Sequence, residues 1–214
     1  MNKLSALLRQ GVRAYRRHQL RDQRFQRLFD TPPENEWISI DCETSSLDPQ
    51  YAEILSIVAV PVQGCRIMLS RALHLTVHPE HAIEAASIPI HQLRQQDVAD
   101  GLPVRDALAN LLEFIGPRPL LGYYLEFDLA VLNRQIRPWL GINLPNPAVE
   151  VSGMYYDRKV TAYRPEVDLR LETILADLEL PSLPRHDPLN DALLAATIFL
   201  KLRGMTGLAI RKAD

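Results

Sequence analysis

Apolar residues follow a helical period near the start of the chain and form short, β-rich runs from Trp37 onward. On an ideal helix, one face collects Leu4, Leu7, Leu8, Val12, Tyr15, Phe25 and Phe29, and the opposite face collects Arg9, Arg13, Arg16, Arg24 and Arg27. This pattern predicts an N-terminal amphipathic helix that packs on the body and leaves its basic face in solvent. The alternative is that the helix binds nucleic acid, an anionic membrane surface or a protein partner.

Two prolines, Pro32 and Pro33, end this pattern and predict a basic helical extension over 1–33 and a main domain over 34–214. In the main domain, the patterns predict strands over 37–40, 54–62, 66–77 and 119–123, and helices over 104–115, 126–140, 169–178 and 188–202. Strands followed by helices that alternate with a strand predict an α/β fold, in which a mixed β-sheet is flanked by helices.

Charge is divided unevenly along the chain, although the formal net charge is only −2. Residues 1–30 carry eight basic and two acidic side chains, whereas the remainder carries 16 basic and 24 acidic ones. The longest largely apolar run, over 192–200, is too short to span a bilayer. Two cysteines, Cys42 and Cys65, can form neither a disulfide framework nor a cysteine-rich zinc site. We therefore expect a cytoplasmic protein without a membrane span.

The first candidate for chemistry is Asp41-Cys42-Glu43, which directly follows the predicted strand over 37–40. Residues i and i+2 of a strand share a face, so both carboxylates can point at the same place. Converging carboxylates are costly unless a cation neutralises them, which favours a metal site. A solvated surface pair is the alternative. A second Asp-x-Glu sequence, Asp177-Leu178-Glu179, falls in a helical segment, where its carboxylates do not face each other.

Two further candidates lie at predicted helix starts. Asp128 follows Phe127 in the first turn of a helix, where the helix dipole favours an anion. His186 precedes a helix whose N-cap is Asp187, and Asp191 lies one turn into that helix. The histidine can fold back over the helix N-terminus, which would bring it to Asp191. The alternative for Asp128 is a purely stabilising interaction with the helix dipole. The alternative for His186 and Asp191 is an ordinary capped helix start without a chemical role.

Taken in order, Asp-x-Glu, Phe-Asp and His-x4-Asp resemble the three exonuclease motifs of the DEDDh family. This family has the ribonuclease H-like fold and includes the epsilon proofreading subunit of bacterial DNA polymerase III. The resemblance runs from about Trp37 to Gly204, and the segment over 88–93 is similar to the Ile-His-Gly-Ile segment of the family. The resemblance implies metal ligands at Asp41, Glu43, Asp128 and Asp191, and a general base at His186.

The chain also departs from the family pattern in all three motifs. Thr44-Ser45-Ser46 stands where Thr-Thr-Gly is usual, Tyr123-Tyr124 precedes a second motif that usually begins His-Asn, and Pro188 replaces a small residue. All five chemical groups are in place, so these departures bear on substrate contacts more than on catalysis. The resemblance implies substrate contacts by Thr44, His91 and Phe127, with a core or surface position as the alternative for His91.

Four carboxylates without a cysteine ligand favour hard, oxygen-preferring cations, and the resemblance implies two Mg²⁺ or Mn²⁺ ions. His186 is then expected to take a proton from the attacking water. The expected activity is release of nucleoside 5′-monophosphates from the 3′ end of a nucleic acid, with single-stranded DNA as the expected substrate. A polymerase is a candidate protein partner. An RNase or oligoribonuclease of the same family is one alternative, and a non-catalytic nucleic-acid-binding module is another.

Overall fold

The computed structural model describes residues 3–81, 94–160 and 166–211. The chain begins with helix α1 (Lys3–Gln19), which is followed by a 3₁₀ helix (Gln23–Phe29). The continuous N-terminal helix expected from the sequence is therefore interrupted. The second helix starts anew because Asp22 caps it, accepting a hydrogen bond of 3.2 Å from the Arg24 N–H.

The two N-terminal helices meet the body in different ways. The apolar side chains after α1 lie in the main hydrophobic core, namely Leu20, Phe25, Leu28 and Phe29. On α1, however, Val12 and Tyr15 are 51% and 64% exposed, so the expected packing of the apolar stripe is wrong for this part. The Arg13 guanidinium instead attaches α1 from its basic side, donating to the carbonyl oxygens of Phe29 and Asp30. A separate extension over 1–33 stays a prediction.

Within the described residues, six strands form one sheet: β1 (Glu36–Thr44), β2 (Ile54–Gln63), β3 (Arg66–Ile67), β4 (Leu73–Thr76), β5 (Leu120–Gly122) and β6 (Ala148–Glu150). The order is β3-β2-β1-β5-β6, and β4 also pairs with β2. β2 runs antiparallel to β1, β3 and β4, whereas β5 runs parallel to β1 and β6. The sheet is mixed, as the sequence predicts.

One long strand expected from the sequence is broken, and one short strand was missed. The run over 66–77 is divided by a 3₁₀ turn (Leu69–Arg71). Opposite the break, Pro61 of β2 has no N–H to give to a neighbouring strand, and its carbonyl accepts the Met68 N–H at 2.8 Å. β6 was missed because three residues beside a proline-rich loop carry too little periodicity.

Helices cover both faces of the sheet: α2 (Gln95–Val98), α3 (Val104–Ile115), α4 (Leu125–Leu140), α5 (Val151–Lys159), α6 (Leu171–Asp177) and α7 (Pro188–Arg211). α3 and α4 share a core with Ile40 of β1. α5, α6 and α7 share a second core with Leu121 of β5. The predicted α/β fold with flanking helices is confirmed. No helix in the described ranges is long and apolar enough to cross a bilayer.

Candidate active site

Strand β1 sends alternate side chains to opposite faces of the sheet. Cys42 lies in the core formed with α3 and α4. Asp41 and Glu43 point to the other face, which α7 covers. There the Ser39 hydroxyl donates a hydrogen bond of 2.7 Å to the carbonyl oxygen of Ala192, which holds the first turns of α7 against the strand.

Asp191, one turn into α7, meets the two carboxylates of β1. One carboxylate oxygen each from Asp41, Glu43 and Asp191 lie within 4.8 Å of one another, and we refer to these three side chains as the carboxylate cluster. Glu43 is buried, and the other two are partly buried. The structure thus brings together three of the four carboxylates that were predicted to be metal ligands.

Asp128, the fourth of these carboxylates, is buried in the first turn of α4. Strand β5 ends at Gly122, so the later residues of β1 have no strand partner on that edge. Asp128 Oδ1 takes the partner's place by accepting a hydrogen bond of 3.1 Å from the Cys42 N–H. Among the described residues, the mutually close carboxylate oxygens do not include those of Asp128. Asp128 lines the same cleft as the carboxylate cluster and so lies beside it.

The position of Asp128 depends on Glu150, a residue that the sequence did not predict to belong to the site. The Glu150 carboxylate, at the end of β6, accepts the N–H groups of Tyr124 at 3.2 Å and Leu125 at 2.7 Å. Tyr124 has a φ of 58°, a left-handed conformation that is unfavourable for a bulky residue. The two hydrogen bonds offset this cost and fix the start of α4. No motif marks Glu150, because its strand is too short to show a pattern.

The loop before α7 brings His186 to the carboxylate cluster. Asp187 caps α7, and its Oδ1 accepts the N–H groups of Leu189 at 2.9 Å and Asn190 at 3.2 Å. His186 has a φ of 63°, and its N–H donates to Asp191 Oδ2 at 3.2 Å. The imidazole is exposed and lines the same cleft as the cluster. The histidine therefore folds back over the first turn of the helix.

Arg185 is a second residue of the site that was not predicted from the sequence. Its Nε donates a hydrogen bond of 3.0 Å to Asp191 Oδ1, and its Nη1 donates one of 2.8 Å to Glu172 Oε1 on α6. Among the described residues that line the cleft, Arg185 is the one arginine or lysine. Its place directly before His186 is visible in the sequence, but no local pattern shows which carboxylate it meets.

A cleft of about 380 Å³ opens over the carboxylate cluster. Of the three residues selected as substrate contacts, Thr44 and Phe127 line this cleft. The Thr44 hydroxyl donates a hydrogen bond of 2.9 Å to the Ser46 carbonyl, which holds the loop after β1. The Phe127 ring lies nearly parallel to that of Tyr124, which is 65% exposed, with 6.4 Å between ring centres. His91 lies outside the described residues.

Three acidic side chains of the site, Asp41, Glu43 and Asp128, resist ionisation. Burial raises the pKa of Glu43 to about 8, and the negative charges of Asp191 and Asp128 add to this effect. Burial also raises the pKa of Asp41 well above its ordinary value, with further repulsion from neighbouring carboxylates. The pKa of Asp128 rises to about 7 through burial, although its hydrogen bonds with Cys42 act in the opposite direction. The site therefore lacks the positive charge that would stabilise its carboxylates in the ionised form.

The donor set fits a hard divalent cation. Three carboxylate oxygens from different side chains are close enough to bind one ion, and all of them are oxygen ligands. Oxygen-only sets favour Mg²⁺, Mn²⁺ or Ca²⁺ over Zn²⁺. A cation would also stabilise the ionised forms of Asp41 and Glu43, whose pKa values are raised by burial and, in addition, by repulsion from neighbouring carboxylates.

Without divalent cations, the protein should become less stable as the pH rises. The folded protein holds a proton on Glu43 up to a pKa of about 8, whereas the ordinary value is 4.5. The folded state thus binds more protons across this interval, so the free energy of unfolding falls as the pH increases. We expect the melting temperature in EDTA to drop by about 10 °C between pH 4.5 and about pH 8.

The Glu43→Gln variant is the control for this pH dependence, because it keeps the shape of the side chain and removes its titration. Its melting temperature in EDTA should change less with pH than that of the wild type. Added Mn²⁺ should stabilise the wild type most at the alkaline end, where the carboxylates are ionised. A wild-type melting temperature that is constant or rises with pH in EDTA would contradict the raised pKa values.

The comparisons with known proteins agree with this geometry. The Exonuclease family model matches residues 38–199. The chain is 25% identical over 166 residues to the PolC-type DNA polymerase III of Thermotoga maritima, which covers 77% of the chain and 12% of that protein. It is 22% identical over 176 residues to DNA polymerase III subunit epsilon of Aquifex aeolicus, which covers 82% of the chain and 84% of the subunit. The chain therefore spans only about an eighth of the PolC-type relative, 12% of its length.

The fold also matches that of E. coli exonuclease I, solved in complex with a dT13 oligonucleotide. The TM-score is 0.68 at 13% identity, and the match covers 84% of this chain and 43% of exonuclease I. This match confirms the ribonuclease H-like fold expected from the resemblance. Because the family model covers most of the chain, including the three motifs that carry the site, the chain belongs to the exonuclease family, and its motifs follow the DEDDh pattern.

Proposed function

We propose that this protein is a divalent-metal-dependent 3′–5′ exonuclease that removes nucleoside 5′-monophosphates from single-stranded DNA. The observation that carries the proposal is the convergence of Asp41, Glu43 and Asp191, whose carboxylate oxygens lie within 4.8 Å of one another in an open cleft. A partly buried concentration of negative charge opposes folding, so a cluster of this kind indicates a functional site, and here the cleft leaves it accessible to a cation and a substrate.

The carboxylate cluster would hold the first cation, and Asp128 would help to hold a second beside it. When bound, a pair of Mg²⁺ or Mn²⁺ ions supplies charge neutralisation and polarisation at the phosphate that is cleaved. The protein contributes the placement of the ligands. β1 fixes Asp41 and Glu43 relative to each other, and the Ser39–Ala192 hydrogen bond fixes α7.

His186 would act as the general base. Its backbone is anchored to Asp191 by a hydrogen bond of 3.2 Å, while its imidazole remains exposed at the cleft. An exposed ring next to the carboxylate cluster is free to reach the attacking water and accept its proton. Exchange of that proton with solvent then restores the base for the next nucleotide.

Three observations support single-stranded DNA as the substrate. Tyr124 is exposed and nearly parallel to Phe127 at the cleft, and aromatic rings of this kind stack with unpaired bases. The structurally similar E. coli exonuclease I binds a dT13 oligonucleotide. The relatives in Thermotoga maritima and Aquifex aeolicus are DNA polymerase III proteins.

The same relatives make a replicative polymerase our proposed protein partner. A cytoplasmic location stays a prediction.

The test is a cleavage assay with the full chain and oligonucleotides of one sequence, made as DNA and as RNA and labelled at the 5′ end. We expect stepwise shortening of single-stranded DNA from the 3′ end in Mg²⁺ or Mn²⁺, release of nucleoside 5′-monophosphates, and no cleavage in EDTA. Faster shortening of the RNA would assign the protein to the ribonucleases of the family. Binding of either oligonucleotide without cleavage in any cation would make it a binding module.

A further inference from the structure

Arg185 connects the inside of the cleft with its outer edge. Its guanidinium contacts Asp191 through Nε at 3.0 Å and Glu172 through Nη1 at 2.8 Å. The Asp191 side chain is 15% exposed, whereas that of Glu172 is 72% exposed. The inner contact is therefore shielded from water, and the outer contact is largely solvated.

The inner contact puts Arg185 in competition with a cation. Asp191 Oδ1 accepts the Arg185 Nε–H, and Oδ2 accepts the His186 N–H at 3.2 Å. Asp191 also belongs to the carboxylate cluster, so a cation held there would share this carboxylate with a positively charged guanidinium. The positive charge of Arg185 would then weaken the binding of the cation through electrostatic repulsion.

Charge balance indicates what Arg185 does once the carboxylates are neutralised. Two divalent cations would balance the four carboxylates of Asp41, Glu43, Asp128 and Asp191. Arg185 would then be left with the exposed Glu172 as its partner, and ion pairs in such solvated positions are weak. A phosphodiester brings one negative charge, and its oxygens match the planar fork of a guanidinium.

We propose that Arg185 is a phosphate-binding residue that exchanges Asp191 for a backbone phosphate of the nucleic acid when divalent cations bind. The proposal rests on the exonuclease function proposed above. Before the cations bind, the guanidinium partly neutralises the carboxylates. Afterwards, the same side chain turns to the substrate while Glu172 keeps it near the edge of the cleft.

The test compares the wild type with Arg185→Gln in two binding measurements. Mn²⁺ affinity is measured without nucleic acid, by calorimetry or electron paramagnetic resonance. Affinity for an oligodeoxythymidylate is measured by fluorescence anisotropy in Ca²⁺ at several salt concentrations. We expect Arg185→Gln to bind Mn²⁺ more tightly, by up to about 10-fold, and to bind the oligonucleotide about 10-fold more weakly. The salt slope should fall by about 0.7, the value for one lost contact with single-stranded nucleic acid.

Opposite changes in the two affinities distinguish this role from a structural one. If Arg185 only held Asp191 in place, Arg185→Gln would weaken Mn²⁺ binding, and that result would overturn the proposal. An unchanged oligonucleotide affinity and salt slope would overturn it as well. Arg185→Lys keeps the charge without the planar fork. It should therefore bind Mn²⁺ with wild-type affinity and bind the oligonucleotide with an affinity between those of the wild type and Arg185→Gln. Arg66→Gln, on the exposed edge strand β3, is the control and should change neither affinity.

The binding measurements, combined with the cleavage assay, test the role of Arg185 separately from the proposed exonuclease function. Wild-type protein that cleaves DNA, together with an Arg185→Gln variant whose affinities are unchanged, would overturn the role of Arg185 alone. Wild-type protein without cleavage, together with opposite changes in the two affinities, would overturn the exonuclease function and support the phosphate-binding role. Melting curves of both Arg185 variants show whether they are folded. If only Arg185→Lys is folded, weaker oligonucleotide binding with wild-type Mn²⁺ affinity supports the role of Arg185, and unchanged oligonucleotide binding or weaker Mn²⁺ binding overturns it.

Discussion

Replacement of Asp41 by Asn should reduce the cleavage of single-stranded DNA by about 10³-fold or more, because a charged ligand of the carboxylate cluster is lost. The same change should raise the melting temperature of the cation-free protein at neutral pH. Burial and repulsion raise the pKa of Asp41, so its ionised form opposes folding, and an uncharged amide of the same shape removes this cost. The measurements are kcat/KM in Mg²⁺ and melting curves in EDTA and in Mn²⁺.

The second Asp-x-Glu sequence supplies the matched control for this variant. Asp177 lies at the end of α6, where it forms an ion pair of 2.6 Å with Lys159. Asp177→Asn should keep wild-type activity and the stabilising effect of Mn²⁺. A carboxylate with only a structural role would lower stability when removed, whereas Asp41→Asn should raise it and lower activity. Wild-type kcat/KM in Asp41→Asn would exclude Asp41 from the reaction.

The parts of the site that could be predicted from the sequence are those set by local periodicity. Asp41 and Glu43 share a face because residues two apart on a strand always do, and the observed β1 includes both. His186 and Asp191 were linked by a helix start whose cap and proline are recognisable in sequence, and Asp187 caps that helix in the structure. Each of these features is set within a single strand or helix start, so it can be predicted without knowing how the elements pack.

The parts that could not be predicted depend on contacts between distant segments. Glu150 fixes the start of α4 across 25 or more residues of chain, and a three-residue strand gives no signal of its position. Arg185 meets Glu172 only because α6 packs beside the loop before α7. The exposure of Val12 and Tyr15 was likewise unpredictable, because an amphipathic pattern shows that a helix has an apolar face but not what covers it.

Replacement of His186 by Asn should reduce kcat by about 10²–10⁴-fold, the usual effect of losing a general base. Asn suits this position better than Ala, because His186 has a φ of 63°, which Asn tolerates. The hydrogen bond from the backbone N–H to Asp191 should therefore persist, and with it the geometry of the carboxylate cluster. The melting-temperature increase caused by Mn²⁺ should match that of the wild type. His74→Asn, at an exposed histidine on β4, is the control and should keep wild-type kcat.

A glycine at the same position turns this prediction into a test of proton transfer. His186→Gly relieves the left-handed backbone and leaves open space at an exposed site, which imidazole from the buffer can enter. Imidazole should restore part of the activity of His186→Gly, because it supplies the missing base, and none of the activity of Asp41→Asn, which lacks a charge. If His186→Asn keeps near wild-type kcat, or if imidazole restores both variants equally, His186 is not the base. Recovery of activity in His186→Gly alone would show that the lost rate is due to the missing proton transfer from the attacking water to the imidazole of His186.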